Sequence, residues 1–404
     1  MSARRLRIGV AGLGRAFSFM LPTFVLDPRI ELVAGADPRE EARARFAADF
    51  GAATYADVEA LCADPNVEAV YVSTPHQFHV SNALSAARNG KHVLVEKPMA
   101  LGLDDCRRMI DAARDAGVHL IVGHSHSFDA PVQRVAELAR GGAYGKLRAI
   151  TALDSTDFIY RPHRPEELST DMGGGVIFNQ APHQVEMLRL IGGGRLRLVR
   201  AMAGVWDAAR PTEGAYSAFF TFENGVCATL TYNGYGHFDS DEFCDWIAES
   251  GAPKDPEVYY GSARRGLAAA SAPDAETAIK QAVNYGGPKY AGPGAASAIK
   301  RPPHHQNFGL LIASCEKADL RPTSKGVTIY ADAEKRFEET PVPPVPRQEV
   351  MDELWRAVVK GVEPIHNGEW SLATMEACLA ILQSSREGRE ITLAHQVGLP
   401  GDIA

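Results

Sequence analysis

The first 124 residues alternate short apolar runs with longer stretches of mixed composition. The apolar runs, which are typical of buried strands, lie at 6–14, 30–37, 69–75, 92–98 and 118–124. The stretches between them are rich in Ala, Arg and Glu, as at 39–51 and 103–117, and these two end at a glycine, as helices commonly do. Strands and helices in alternation predict a doubly wound parallel sheet with helices on both faces.

The pattern changes near residue 147, where apolar runs follow one another without helices between them. Four such runs lie at 147–156, 197–206, 215–225 and 226–236. Asn224 and Gly225 between the last two are a hairpin signal, so we predict an open, mainly antiparallel sheet. Helices such as the one expected at 183–193 should cover one face of this sheet.

The remaining segments suggest the domain boundaries. Residues 252–306 are rich in Ala, Gly and Pro and are expected to form an excursion or lid. A stiff, proline-rich connector at 340–346 leads into a helical tail. We predict an α/β domain at 1–123, an α+β domain at 124–346, and a tail at 347–404 that packs back on the body.

Composition and charge narrow the class of protein. The 404 residues carry a formal net charge of −8, which argues against nucleic acid as a partner because phosphate binding needs a basic surface. The six cysteines include no C-x-x-C pair, so neither a zinc cage nor a disulfide framework is expected, and a cytoplasmic location is predicted. The longest apolar runs are too short for a transmembrane helix.

A glycine turn follows the first predicted strand. Gly9, Gly12 and Gly14 stand between this strand and a helix, where a dinucleotide pyrophosphate binds helix N-terminal N–H groups. Counted from Gly12, the third glycine position of G-x-G-x-x-G is Phe17, so the fingerprint is imperfect. We expect Phe17 to push the helix outward or to lie over the pyrophosphate.

An acidic residue supports the same interpretation. Asp37 ends the second predicted strand, 37 − 14 = 23 residues after Gly14, where a carboxylate binds the ribose hydroxyls of NAD. Arg39 is placed to reach a 2′-phosphate instead, so NADP stays open as a second cofactor. Asp37 favours NAD.

Lys97 ends the strand predicted at 92–98. That strand and the glycine turn meet at the carboxyl edge of the sheet, so Lys97 is expected to project toward the nicotinamide, with Pro98 fixing the chain beyond it. The Lys97–Pro98 peptide is a candidate for the cis form.

Four motifs give the chain a family resemblance. "GVAGLG", "STPHQFH", "EKPMA" and "GGGVIFNQAPHQVEML" resemble, in order and spacing, the glucose–fructose oxidoreductase / inositol dehydrogenase / MocA family, and the tail resembles its closing helices. The resemblance implies that Lys97 contacts cofactor and substrate and that His183 is the general acid/base. Together with the glycine turn, the motifs provide these candidate cofactor-binding residues: Gly9, Gly12, Gly14, Arg15, Ala16, Phe17, Asp37, Arg39, Ser73, Thr74, His76, His79, Glu96 and Lys97.

Asn179 is a departure from the family pattern, which has Asp at this place. Its spacing of four from His183 predicts that both lie on one helical face. An anionic substrate would explain the change, because a carboxylate there would repel it. We count Lys97, His183 and Asn179 as the candidate catalytic residues.

A loop with two arginines precedes this segment. Arg161, His163 and Arg164 suit the recognition of carboxylates, although a solvated loop is an equal alternative. Four further residues are expected to line the substrate pocket: His124, His126, Tyr235 and His237. The histidines lack an i, i+4 pair with a carboxylate ligand, so no metal is predicted.

Within the family, "GLGRAFSFMLPTF", "GHSHSFDAP", "DFIYRPHRPEEL" and "YNGYGHFDSDE" resemble the phthalate 4,5-cis-dihydrodiol dehydrogenases. This resemblance implies oxidation of an anionic cyclic diol, the 4,5-cis-dihydrodiol of phthalate, to a catechol by NAD. The alternatives are a sugar or cyclitol dehydrogenase, an NADPH-dependent reductase of aldehydes or imines, and a non-enzymatic dinucleotide-sensing regulator. The family resemblance also implies that the domain at 124–346 serves substrate binding and oligomerisation, and that the protein is a homodimer or homotetramer.

Overall fold

The computed structural model describes residues 4–123, 125–270, 272, 274–290, 292 and 302–400. The chain divides into two compact units. The first comprises residues 1–124, 277–301 and 343–372, and the second comprises residues 125–276, 302–342 and 373–404. The segment predicted as an excursion, 252–306, is therefore divided between the two units.

A parallel sheet of six strands forms the centre of the first unit. Its strands are β1 (Leu6–Ala11), β2 (Ile30–Ala36), β3 (Ala53–Tyr55), β4 (Ala69–Val72), β5 (His92–Val95) and β6 (Leu120–Val122). Their order in the sheet is β3-β2-β1-β4-β5-β6, and every pair is parallel. This is the doubly wound order, whose direction reverses between β1 and β4, and the loops after these two strands border the expected ligand crevice.

Helices follow the strands of this sheet. They are α1 (Arg15–Leu26), α2 (Glu40–Phe50), α3 (Val58–Ala63), α4 (His79–Arg88) and α5 (Leu103–Asp115). In α5 the buried positions Cys106, Met109, Ile110 and Ala113 recur at helical spacing, so one stripe faces the core. Gly51 ends α2 in the left-handed region at φ 62°, which glycine adopts without steric cost.

The five predicted strands of the first unit and their parallel arrangement are confirmed. The prediction missed β3, because three residues are too short to show a period. The Lys97–Pro98 peptide is cis.

A mixed sheet of nine strands forms the second unit. The strands are β7 (Leu147–Ser155), β8 (Leu196–Gly204), β9 (Ala215–Phe222), β10 (Cys227–Asn233), β11 (Leu310–Cys315), β12 (Ala318–Thr323), β13 (Gly326–Ala331), β14 (Lys335–Glu339) and β15 (Ile391–Thr392). Their order is β14-β13-β12-β11-β7-β10-β9-β8-β15. Within the described strands of this second sheet, only β7 and β10 pair in parallel, so the prediction of a mainly antiparallel sheet is confirmed.

The predicted hairpin is present between β9 and β10. Phe220 pairs with Ala228 across the two strands, and Gly225 takes the turn at φ 85°. Side chains alternate between buried and exposed along β9 because one face of the sheet is covered.

Helices of the second unit include α6 (Ala130–Arg140), α7 (Gly175–Asn179), α8 (Ala181–Gly192), α9 (Pro256–Tyr259) and α10 (Ser262–Ala269). Helix α11 (Ala275–Ala282) begins in the second unit and ends in the first, and α12 (Gln348–Lys360) lies in the first. Helix α13 (Gly368–Glu387) belongs to both. All six cysteines are free thiols, and no described helix is long and apolar enough to cross a membrane.

Candidate active site

The glycine turn of the first unit lies between β1 and α1. Gly12 has φ 91°, and a Cβ added there would lie 2.9 Å from the backbone nitrogen of Thr74 and 3.0 Å from the carbonyl of Ser73. Only glycine fits this approach of two loops. Gly14 immediately precedes α1 and has open space around it, as a phosphate bound at the helix N-terminus requires. Gly9 instead packs against Leu61 and Val67 within the unit's core.

Asp37 supports the glycine turn from the end of β2. Its Oδ2 accepts a hydrogen bond of 2.8 Å from the backbone N–H of Leu13, and its Oδ1 accepts from the backbone N–H and the Nε of Arg39, both at 2.9 Å. The Arg39 guanidinium also donates to the Leu13 carbonyl. A carboxylate beside the turn fits the ribose of NAD, and the half-exposed Arg39 lies next to it.

Phe17 does not lie over the turn. Its side chain is fully buried, with its ring centroid 5.0 Å from that of Tyr285, 5.9 Å from that of Phe46 and 6.3 Å from that of Phe24. Gly35 makes room for this aromatic cluster, because a Cβ there would lie 2.9 Å from the Phe46 ring. The expectation that Phe17 covers the pyrophosphate is wrong, since its ring belongs to the hydrophobic core.

The two loops after β4 and β5 are held together. The Nδ1 and Nε2 of the buried His79 lie 2.9 Å from the carbonyl oxygens of Pro98 and Thr74, so this ring links the loops instead of facing a ligand. Burial lowers its pKa. His76 stands edge-on to the His79 ring, with 5.6 Å between centroids.

Lys97 is half-buried in the loop after β5. Its neighbour Glu96 accepts a hydrogen bond from the Tyr71 hydroxyl, and burial raises the pKa of this carboxyl. Ser73 donates through its hydroxyl to the carbonyl of Gly12 at 2.8 Å. The predicted cofactor residues of these loops and the glycine turn thus form one connected group in the first unit.

The second unit buries a histidine cluster. His183, in the first turn of α8, has its ring 4.8 Å from that of His126 and 5.0 Å from that of Phe308. The Nδ1 of His126 lies 2.7 Å from a carboxylate oxygen of Asp129, and its Nε2 lies 3.5 Å from one of Glu249. Burial by itself lowers the pKa of His126, but the two carboxylates outweigh it and raise that pKa to about 9.

Asn179 and His183 do not share a helix. Asn179 ends α7, and the chain is interrupted at Gln180 before α8 begins, so the predicted single helical face is wrong. Pro182 in the first turn of α8 explains the break, because proline has no N–H to donate to the Phe178 carbonyl four residues earlier. The Asn179 amide donates to the Gly175 carbonyl at 2.8 Å.

The two arginines of the loop differ in their electrostatic partners. Arg161 pairs with Asp157 at 3.1 Å and is half-exposed. Burial opposes its charge, but nearby Tyr232, Asp157 and Glu249 raise its pKa. Arg164 is paired with Glu166 and Glu167, both at 3.2 Å.

Arg164 thus forms ion pairs with two glutamates of its own loop, whereas Arg161 forms one with Asp157. His163 is buried, and its Nδ1 contacts the Arg161 carbonyl at 2.6 Å, so it shapes the loop.

Three predicted substrate-binding residues remain. The Tyr235 hydroxyl donates to the Thr212 carbonyl and its ring stacks on Trp206, which is a structural role. His237 is exposed. His124 lies outside the described residues.

Sequence reasoning missed Asp129, Asp154, Glu249 and Phe308. Asp154 is buried and accepts a hydrogen bond of 2.6 Å from the Ser240 hydroxyl, and burial with nearby Glu249 and Asp241 raises its pKa to about 7. A signal for Asp154 existed, since it lies on the same face of β7 as the buried Ile150 and Ala152. Glu249 lies in a loop, where no pattern marks it.

The six-stranded parallel sheet and the glycine turn define an NAD(P)-dependent dehydrogenase with an NAD-binding Rossmann domain. Two family models match the chain. One, described as the NAD-binding Rossmann fold of an oxidoreductase family, matches residues 6–124, and the other, the GFO/IDH/MocA C-terminal domain, matches residues 132–250. The chain belongs to the Gfo/Idh/MocA oxidoreductase family.

Two relatives are similar over most of their length. The 1-carboxy-3-chloro-3,4-dihydroxycyclohexa-1,5-diene dehydrogenase of Comamonas testosteroni is 48% identical over 94% of this chain and 95% of its own. A dTDP-3,4-didehydro-2,6-dideoxy-alpha-D-glucose 3-reductase of Streptomyces violaceoruber is 33% identical over 57% of this chain and 67% of its own.

Solved structures share the architecture. A protein of Bordetella bronchiseptica RB50 described as a dehydrogenase superposes with a TM-score of 0.89 and 38% identity, covering 96% of this chain and 100% of its own. The WlbA dehydrogenase of Bordetella pertussis, solved with NADH and UDP-GlcNAcA, has a TM-score of 0.69 and 21% identity, covering 97% of this chain and 99% of its own, and it supports the fold alone.

Proposed function

We propose that this dehydrogenase oxidises a cyclic cis-dihydrodiol that carries a ring carboxylate, with NAD as the hydride acceptor. The observation that carries the proposal is the similarity to the Comamonas testosteroni enzyme, whose substrate has one carboxyl and two adjacent hydroxyl groups on a cyclohexadiene ring. The 4,5-cis-dihydrodiol of phthalate is the particular substrate that we propose.

The chemistry needs a base, a group that stabilises charge on oxygen, and an acceptor for hydride. NAD accepts the hydride from one carbinol carbon when it is bound. We assign the base to His183, which takes the hydroxyl proton through a ring nitrogen, and we assign stabilisation of the oxygen to Lys97. The ketone that forms loses a ring C–H proton as it enolises, which gives an aromatic catechol and draws the reaction forward.

The charges of the second unit support an anionic substrate. Arg161 is the arginine of its loop whose charge is coupled to the carboxylates around the histidine cluster, since both Glu249 and Asp154 interact with it electrostatically. Arg164 is already paired with two glutamates. We therefore propose that Arg161 binds one substrate carboxylate.

NAD is proposed as the preferred form of the cofactor. Asp37 is a carboxylate at the end of β2 and would repel a 2′-phosphate, although Arg39 lies against it and offsets part of its charge. We expect measurable but weaker use of NADP.

A substrate panel tests the proposal. Purified protein with NAD is given the cis-4,5-dihydrodiol of phthalate, a cis-dihydrodiol with a single ring carboxylate, a cis-dihydrodiol without a carboxylate, and myo-inositol, and NADH absorbance is followed. We expect turnover of the carboxylated diols to exceed the others in kcat/KM. Turnover of myo-inositol alone would replace the proposal with a cyclitol dehydrogenase.

The same panel decides the role of the arginines. Arg161→Met should raise KM for the carboxylated diols by about tenfold or more, because a charge-assisted hydrogen bond contributes about 1.5–3 kcal/mol. Arg164→Met is the matched control, and its KM should stay near that of the wild type. Equal effects of the two substitutions would reject Arg161 as the carboxylate-binding residue.

A further inference from the structure

Three potential metal ligands converge in the second unit. The side chains of His126, His183 and Glu249 each present one ligand atom, and the three atoms all lie within 4.8 Å of one another. Both histidines are buried, whereas the Glu249 side chain is half-exposed. In the part of the chain that the structure describes, no other group of His, Cys, Asp and Glu side chains meets this spacing.

Asp129 orients the cluster. Because its carboxylate accepts the Nδ1–H of His126 at 2.7 Å, His126 binds an ion through Nε2, which releases its proton when the ion binds and lies 3.5 Å from Glu249. A carboxylate that fixes the tautomer of a histidine ligand is the usual outer-shell partner in protein zinc sites. The His126 ring also stacks on Phe308, with 4.8 Å between centroids, which limits its rotation.

The spacing of the three ligand atoms suits a transition metal if the atoms move slightly closer together. Ligand bonds of about 2.0–2.2 Å in a tetrahedron place ligand atoms roughly 3.3–3.6 Å apart, so the Nε2-to-Glu249 distance already fits and the widest gap must close by about 1 Å. Glu249 can make that movement, since half of its side chain faces solvent. Two imidazoles and one carboxylate favour zinc or cobalt over magnesium or calcium, which prefer oxygen ligands.

We propose that His126, His183 and Glu249 bind one divalent transition-metal ion, with Asp129 as the outer-shell partner of His126. Three protein ligands leave a fourth position to water. The second half of the inference rests on the proposed function: a metal ion uses the lone pair with which His183 would accept the substrate proton, so occupancy of this site inhibits diol oxidation. The ion and the proton compete for the same nitrogen.

Binding is tested without substrate, which separates this inference from the proposed function. Full-length protein is freed of metal with a chelator and titrated with Co²⁺, while the visible absorption of the ion reports its geometry and equilibrium dialysis reports stoichiometry. The wild type should bind one ion per chain with the spectrum of a four-coordinate site. Zn²⁺ should displace the Co²⁺ signal.

Two glutamate variants locate the site. Glu249→Gln removes a charged ligand that is half-exposed, so folding should be retained, and we expect its Kd for Co²⁺ to rise by about tenfold or more. Glu242→Gln changes an exposed glutamate seven residues earlier and should bind as the wild type does. Asp129→Asn should weaken binding by about 10–100-fold, as loss of an outer-shell partner does.

Several results would overturn the inference. They are the absence of saturable binding, equal Kd values for Glu249→Gln and Glu242→Gln, and a stoichiometry that stays at one in Glu249→Gln with an unchanged spectrum. If NAD-dependent turnover rises with zinc occupancy instead of falling, the proposed competition at His183 is wrong. A protein that binds the ion but oxidises none of the tested diols would retain the site and reject the proposed function.

Discussion

The proposed reaction assigns stabilisation of the substrate oxygen to Lys97 and acceptance of the hydroxyl proton to His183. Lys97 lies two residues after the end of β5, and His183 stands in the first turn of α8, so each is placed close to the end of a regular element and not by a long loop. Side chains at such positions have few alternative orientations, which suits catalysis.

Lys97→Met keeps the length of the side chain and removes its charge. We expect kcat for the carboxylated diol to fall by about 10²–10³, the usual loss when one group that stabilises developing charge on oxygen is removed. Lys146→Met, at an exposed position, is the matched control and should retain full activity. Steady-state kinetics measure both, and near-normal kcat in Lys97→Met would contradict the assigned role.

Asp154 should make stability depend on pH. Its carboxyl is buried, Glu249 and Asp241 raise its pKa further, and Ser240 and Arg161 act in the opposite direction, with a folded-state pKa of about 7 against an ordinary 3.8. Between these values the unfolded chain releases a proton that the folded chain keeps. The contribution of Asp154 to the free energy of unfolding is therefore greatest below pH 3.8, falls as pH rises and levels off above about pH 7.

Asp154→Asn should remove that dependence. One pKa unit corresponds to about 1.4 kcal/mol, so the variant should gain on the order of 1–4 kcal/mol relative to wild type at alkaline pH and almost nothing at pH below 3.8. Denaturant unfolding across the pH range measures the difference, with the exposed Asp319→Asn as control. Parallel pH profiles for Asp154→Asn and wild type would refute the assignment.

Elements of the first unit are joined by close backbone contacts at the glycine turn. The loops after β1 and β4 approach so closely that a Cβ at Gly12 would lie 2.9–3.0 Å from the Ser73 and Thr74 backbone. His79 holds the loops after β4 and β5 through two carbonyl oxygens. These contacts therefore hold together the three loops that follow β1, β4 and β5.

Gly12→Ala tests the close contact between the loops after β1 and β4. The added methyl group meets backbone at a positive φ, so we expect a loss of about 1–3 kcal/mol in stability and a large loss of NAD affinity. Gly266→Ala, in α10 with nothing within 4 Å of the added Cβ, should be neutral or slightly stabilising. Calorimetric titration with NAD measures the change in affinity, and thermal unfolding measures the change in stability. Tight NAD binding by Gly12→Ala would show that the glycine turn does not bind the cofactor.

For the whole molecule, contacts between segments far apart in sequence complete each unit. Tyr285, from the segment predicted as an excursion, is fully buried, packs on Phe17 and donates its hydroxyl to Asp49 at 2.7 Å. The core of the first unit thus includes a residue 285 − 40 = 245 positions after the start of its second helix. The homodimer or homotetramer implied by the family resemblance stays a prediction.

Tyr285→Ala should destabilise the first unit. Removing a fully buried aromatic ring costs about 3–5 kcal/mol, whereas Tyr285→Phe removes only the hydroxyl hydrogen bond to Asp49 and should cost about 1 kcal/mol. Thermal unfolding of the whole chain measures both variants. Equal losses in the two would show that the hydrogen bond, and not the ring, carries the contribution.

The amino-acid sequence by itself determined the elements with a local cause. Alternating apolar runs specified the parallel sheet, Asn224 and Gly225 specified the hairpin, and the motif residues marked Lys97 and His183, because periodicity, turn chemistry and motif spacing are properties of neighbouring residues. The tertiary structure decided what depends on distant partners. It placed Phe17 in the core, paired Arg164 with its own glutamates, and brought Glu249 to His126 across more than a hundred residues. Such contacts have no local signature, since they arise from how the sheet and its connections pack in three dimensions.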